Sequence, residues 1–175
     1  DERLGHLWCS QACCSYALRS AQSMKYRDPE LAVTIFYMDI QNTNKDFNEF
    51  YEKCRTDFRF IRNIPVDVYP EEGDQIRTRY VEESEGKPVD EKFDLLVLSV
   101  GIMPNTDNAG LAETFGIQRD TDGFFSGGDP ARRVQTTAPG VFVAGTAEGP
   151  KTIAASMAHA GQAAGEVIQF LRGGK

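Results

Sequence analysis

No Gly-x-Gly-x-x-Gly stretch occurs anywhere in the 175 residues. The turn that usually seats a dinucleotide pyrophosphate against a helix start is therefore not written here. Long apolar runs are missing too. The hydrophobic stretches are short and interrupted, none near the roughly 20 residues needed to cross a bilayer, and the N-terminus does not read as a secretory signal. Positive charge is scarce, with 19 Lys and Arg against 26 Asp and Glu and a net charge of −7. Such a chain is not drawn to nucleic acid or to an anionic membrane by its net field. No ferredoxin-type cysteine run is present, and nothing forms a nucleophile–His–acid constellation, so no catalytic residue is assigned. Hydrophobic residues make up 41% and charged residues 26%, a globular balance rather than a disordered one.

What is present begins with cysteine. Of the four, Cys9, Cys13 and Cys14 crowd into six residues and Cys54 stands apart. An extracellular disulfide framework spreads its cysteines to close loops, so this clustering predicts a cytoplasmic protein. Thiolates suit iron–sulfur or zinc centres, and a helix start favours the thiolate. Three readings stay open for the trio: helix-packing thiols, cluster ligands or a redox pair. Adjacent cysteines cannot both point the same way from one regular element, and three thiols need a further ligand. Cys54 shares a helical face with Phe47, Phe50 and Tyr51 and is expected in the core.

The order of elements reads as α/β. Helical spacing of Cys13, Tyr16, Ala17, Ser20 and Met24 predicts a helix over about 10–25, with those residues on one face. Ala32–Met38 reads as a buried strand, 46–55 as a second helix and 58–61 as a short strand. Residues 66–81 form hairpin strands around an acidic turn at 70–74, and 82–90 is expected to be a polar connection. Phe93–Ser99 reads as a buried strand, 108–115 as a helix, 120–129 as a loop, 140–145 as the last strand and 152–171 as the last helix. No strand precedes the first helix. That order predicts the back part of a larger protein, or a subunit completed by another chain.

The strand–loop–helix at the C-terminal end carries the second candidate site. Glycines at the strand exit permit tight turns and close approach of a ligand, and the following helix start offers amides to a phosphate. Gly145, Thr146, Gly149, Pro150, Lys151, Thr152 and Ile153 are the candidate cofactor-binding residues. Ala154, Ala158, Gly161 and Gly165 form a small-residue stripe that suits packing on a sheet. Asp39 reads as a solvated strand-end carboxylate, and His159 as a packing or surface residue.

Six segments in this order resemble the HdrA-like flavoproteins, the flavin subunits of heterodisulfide reductases and of quinone-interacting membrane-bound oxidoreductase complexes. They are Trp8-Cys-Ser-Gln-Ala-Cys-Cys14, Phe36-Tyr-Met-Asp-Ile40, Phe58-Arg-Phe-Ile-Arg62, Asp94-Leu-Leu-Val-Leu-Ser-Val-Gly-Ile-Met-Pro104, Asp122-Gly-Phe-Phe125 and Gly140-Val-Phe-Val-Ala-Gly-Thr-Ala-Glu-Gly-Pro-Lys151. The resemblance implies a partial fold of the thioredoxin-reductase type with two dinucleotide-binding domains. Residues 1–104 then correspond to an NAD(P)H-domain-like region lacking its first strand, and 105–175 to the C-terminal segment of an FAD-binding domain. It also implies FAD in the complete assembly, and a 4Fe-4S cluster to which Cys9, Cys13 and Cys14 are candidate ligands. Where the wider superfamily places an aspartate near the flavin linker, this chain has Thr146, which can hydrogen-bond but brings no charge. The chain alone is expected to bind FAD weakly or not at all.

The function so implied is a fragment or subunit of an FAD-dependent, iron–sulfur-linked electron-transfer oxidoreductase, inactive alone and joined to iron–sulfur or flavin electron-transfer subunits. The alternatives are a noncatalytic, cofactor-free interaction fragment of the same fold, and a pyridine-nucleotide-disulfide reductase-like dithiol enzyme. The last lacks the usual CxxC.

Overall fold

A computed structural model describes residues 5–41, 45–83, 86–129 and 134–173. The chain divides into two compact units, Cys13–Val100 and the combination of Asp1–Ala12 with Gly101–Lys175.

In the first of these, helix α1 (Cys13–Arg27) leads to strand β1 (Thr34–Phe36), helix α2 (Phe47–Asp57) and strand β2 (Arg59–Ile61). The two strands pair in parallel, Ile35 opposite Phe60, so β1–α2–β2 is a crossover unit. Its core gathers Leu18, Ala21, Phe47, Cys54 and Phe58. Cys54 is fully buried, as its shared face with Phe47, Phe50 and Tyr51 predicts, and burial pushes its thiol pKa up. Tyr51 lies flat against Phe47, their ring centres 6.2 Å apart, and meets Phe60 edge-on.

The expected helix at α1 is present, but it buries a different face. Leu18 and Ala21 are its buried residues, while Tyr16 and Met24 are 41% and 39% exposed. Leu18 supplies a large branched side chain and Ala21 lets α2 come close. Tyr16 instead turns its hydroxyl outward to donate to the Val100 carbonyl. A helical period alone does not say which of two adjacent stripes is covered.

The expected hairpin at 66–81 is present as β3 (Asp67–Pro70) and β4 (Ile76–Glu82), closed by the Glu71 amide on the Gln75 carbonyl at 2.8 Å. The connection expected at 82–90 is mostly a third strand, β5 (Lys87–Phe93), antiparallel to β4; Ser84 and Glu85 lie outside the described residues. Its polarity hides it, because ion pairs rather than apolar contacts hold its outward side. Arg79 grips Asp90 through two 2.9 Å hydrogen bonds, and Lys92 meets Glu71 at 3.2 Å. On the other side Arg59 of β2 pairs with Glu91, which also accepts from Tyr80 at 2.9 Å. Phe36 touches Tyr80 and Phe93 edge-on, so this aromatic group and the Arg59–Glu91 pair join the two sheets.

These pairs give a pH dependence of known sign. The Arg59 hydrogen bond holds the Glu91 carboxyl below the ordinary glutamate range, and Arg79 and Lys92 do the same for Asp90 and Glu71. A carboxylate with a lowered folded pKa stabilises the fold above its unfolded value, about 4.3 for Glu, and loses that stabilisation as pH falls through the folded value. Acid titration followed by circular dichroism is therefore expected to show Cys13–Val100 weakening below about pH 4.3. Glu91→Gln should flatten that slope.

The strand expected at Phe93–Ser99 does not form beyond Phe93. Residues 94–100 run without a ladder partner among the described residues, and Leu95, Val97, Leu98 and Val100 are 66–73% exposed. A buried parallel strand needs neighbours, and among the described residues the parallel sheet holds only β1 and β2.

In the other unit, Trp8 donates its indole N–H to the Ile102 carbonyl at 2.9 Å and meets Phe124 edge-on, which fastens the residues before Cys13 to the segment after Val100. Helix α3 (Asn108–Phe115) falls where expected. The loop at 120–129 is also as expected, folded around Asp120, whose Oδ1 accepts from the Asp122 and Phe124 amides at 3.0 and 2.9 Å. The strand expected at 140–145 is reduced to one bridge between Gln135 and Phe142, with the Val143 amide on the Val134 carbonyl. Among the described residues only this short stretch lies beside it. Helix α4 (Ile153–Leu171) ends the unit. Its small-residue stripe does not pack on a sheet: Ala154, Ala158, Gly161 and Gly165 are exposed, and a Cβ at either glycine would meet nothing within 4 Å. The core contains Phe124, Val134 and Val143 instead.

Candidate functional site

The buried Val143 carries the chain into a 3-10 turn over Gly145–Ala147, where the Ala147 carbonyl accepts from the Phe125 amide at 3.0 Å. Gly145 has φ +66° and Gly149 φ +149°, backbone that side-chain-bearing residues rarely adopt. A Cβ at either position would meet no atom within 4 Å, so the loop is open on that side. Thr146 is exposed at the turn. Lys151 forms an ion pair with Glu148, and both side chains are largely buried, 15% and 13% exposed. The lysine charge is thus compensated locally rather than left to face an anion alone.

Thr152 stands at the helix start the sequence predicts and caps α4, its Oγ1 accepting from the Ala155 amide at 3.1 Å. Ile153 begins the helix 83% exposed. The loop thus has a capped exit, an open side and a surface isoleucine. His159, which reads from sequence as a packing or surface residue, is tied to this loop. It is 7% exposed and accepts the Gly145 amide hydrogen on Nδ1 at 3.1 Å. The spacing of 14 residues gives no sign of that contact.

None of the four cysteines is in a disulfide. Cys9 is exposed, and its Sγ accepts from the Gln11 amide at 3.3 Å, with Gln11 in the left-handed region at φ +60°. Hydrogen bonds to ligating sulfurs tune iron–sulfur centres. Cys13 and Cys14 are half-buried in the first turn of α1, and the Cys14 thiol lies 3.9 Å from the Asp39 carbonyl. Among the described residues no group of three or more His, Cys, Asp or Glu is gathered to hold a metal ion. The Asp39 carboxylate accepts from the Ile40 amide and the Gln41 side chain, as a strand-end aspartate does. A groove of about 590 Å³ beside β2 is lined by Arg59, Arg62, Tyr80 and Glu82. Its arginines are already engaged, Arg59 by Glu91 and Arg62 by the Met38 carbonyl.

Comparison with known proteins supplies a consistent set of relatives. The HdrA-type component of an H(2):CoB-CoM heterodisulfide,ferredoxin reductase from Methanothermobacter thermautotrophicus is 35% identical over 177 aligned positions, covering 99% of this chain. The HdrA-type iron-sulfur component of a CoB–CoM heterodisulfide reductase from Methanocaldococcus jannaschii is 37% identical over 171, covering 95%. The chain is homologous to the HdrA-type heterodisulfide reductase proteins. It spans about a quarter of the length of these relatives, 27% and 26% respectively. No family model matches.

Among solved structures, thioredoxin reductase from Lactococcus lactis superposes with a TM-score of 0.58 at 21% identity, covering 79% of this chain and 45% of that one. The enzyme from T. acidophilum gives 0.57 at 19%, covering 78% and 43%. This HdrA homologue therefore has a mixed α/β fold like that of thioredoxin reductase. Among its described residues no helix is long and apolar enough to cross a membrane.

Proposed function

We propose that the chain is part of an FAD-dependent, iron–sulfur-linked electron-transfer oxidoreductase of the heterodisulfide reductase type, working in a cytoplasmic complex with iron–sulfur or flavin subunits. The observation that carries this reading is homology to HdrA-type proteins across 95% or more of the chain in both relatives described above. Residues 1–104 are assigned to an NAD(P)H-domain-like region and 105–175 to the return segment of an FAD domain.

The loop residues fit a flavin nucleotide. Gly145 and Gly149 leave the backbone uncovered by any Cβ, Thr146 offers an exposed hydroxyl, and Thr152 orders the helix start. Pro150, Lys151 and Ile153 complete the assigned set, with Lys151 and Glu148 presenting a neutral pair. The chemical fit of Cys9, Cys13 and Cys14 to an iron–sulfur centre lies in their soft donors and in the amide on the Cys9 sulfur. FAD, when bound, supplies the capacity to take and release electrons; the protein positions it and tunes its surroundings. A cofactor-free interaction fragment is the second reading, favoured by the exposed apolar residues Leu95, Val97, Leu98 and Val100.

An absorption spectrum of anaerobically purified chain, with iron and sulfide analysis and with FAD added, separates the two. On the first reading iron and sulfide are expected at the cysteine segment, with flavin bands that appear weakly and only at high FAD concentration. Protein that stays colourless and iron-free under both treatments overturns it for this chain.

A further inference from the structure

His159 sits two turns inside α4 and is buried to 7% exposure, yet the flavin reading gives it no role. Its Nδ1 accepts from the Gly145 amide at 3.1 Å. A backbone amide can only donate, so Nδ1 carries a lone pair and the ring proton lies on Nε2. That second nitrogen is buried and has no hydrogen-bond partner among the described residues. An apolar residue of similar size would fill this space without leaving a donor unpaired. The feature His159 adds to packing is the acceptor for Gly145.

Gly145 is where that acceptor matters. It stands at φ +66° in the 3-10 turn, and a Cβ there would meet nothing within 4 Å. Packing therefore does not hold this peptide from the open side. On its covered side the Gly145 amide is bonded to His159, and two residues on the Ala147 carbonyl is bonded to Phe125. These two bonds fix the turn that presents Thr146.

We propose that His159 is a positioning residue, whose Nδ1 holds Gly145 so that the Gly145–Lys151 loop keeps the shape that receives the flavin nucleotide. This rests on the flavin reading of that loop. The role works by population: a ligand that needs one loop shape binds more weakly by the fraction of time that shape is lost.

The test compares the chain with H159N and H159Q by NMR. Asparagine places an acceptor where Nδ1 lies, whereas glutamine places its polar end near Nε2. Wild-type protein is expected to show a nitrogen–nitrogen coupling across the Gly145–His159 hydrogen bond and a slowly exchanging Gly145 amide. H159N should keep that amide protected; H159Q should speed its exchange about tenfold or more, in line with loss of one hydrogen bond. FAD titrated to millimolar concentration should move the Gly145 and Thr146 amides in wild type and H159N, with affinity about five- to tenfold weaker in H159Q. Equal protection and equal affinity in H159Q overturn the positioning role. So does H159N behaving like H159Q. An intact Gly145–His159 coupling with no amide responding to FAD in wild type sinks the flavin reading, and the purpose assigned to His159 with it.

Discussion

Leu18→Ala is expected to destabilise the Cys13–Val100 unit by about 3 kcal/mol, within the range of buried leucine truncations. Leu18 is 1% exposed, at the centre of a core that also holds Ala21, Phe47, Cys54 and Phe58. Removing it takes branched carbons from between α1 and α2 and leaves a cavity that Ala21 is too small to fill. Leu18→Met keeps most of the volume and should cost less than about 1.5 kcal/mol. Urea unfolding of the two variants checks the difference. The consequence reaches the thiols, because Cys13 and Cys14 occupy the first turn of the same helix. If they ligate a cluster, Leu18→Ala should lower iron retention although it touches no sulfur, and Leu18→Met should not.

The segment after β5 gives the second large effect. Leu95, Val97, Leu98 and Val100 are exposed by 69%, 68%, 73% and 66% within six residues. Single exposed apolar residues need no explanation, but a contiguous row of them marks a surface that associates. The chain in isolation is expected to bind an apolar fluorescent dye strongly and to self-associate as concentration rises. Replacing Leu95 and Leu98 together by Lys should reduce dye binding several-fold and favour the monomer in sedimentation. Because the two side chains bury little, unfolding free energy should change by no more than about 0.5 kcal/mol for each. Loss of fold in the double variant, or dye binding unchanged, would contradict the assignment of this row as the sticky surface.

Much of the architecture was legible along the chain. Helices with an apolar face, a capping threonine at 152 or a continuous run such as Asn108–Phe115 declare themselves by local spacing. Cys54 was legible for the same reason, since Phe47, Phe50 and Tyr51 stand at helical intervals from it. The hairpin turn at 70–74 carries its own glycine and acidic residues. Strand β5 was not legible: its inward positions include Glu91, which is tolerated only because Arg59 and Tyr80 from other strands meet it. The covered face of α1 differs from the one its period suggests because Tyr16 is large and apolar in composition but bonds outward to Val100.

The candidate site divides in the same way. The glycines, Thr152 and the cysteine trio were visible as residue types at particular spacings, and the resemblance to the HdrA-like proteins rested on short segments whose order needs no coordinates. Composition, helical period and turn chemistry are properties of neighbours along the chain, so the sequence by itself determined them. Pairings between distant residues were decided only in three dimensions. They include Glu91 met by Arg59 32 residues away and Gly145 held by His159 14 residues away, and the same folding leaves the apolar row from Leu95 to Val100 exposed. A hydrogen bond or a buried contact depends on where two segments meet, and no local pattern of polarity encodes that meeting.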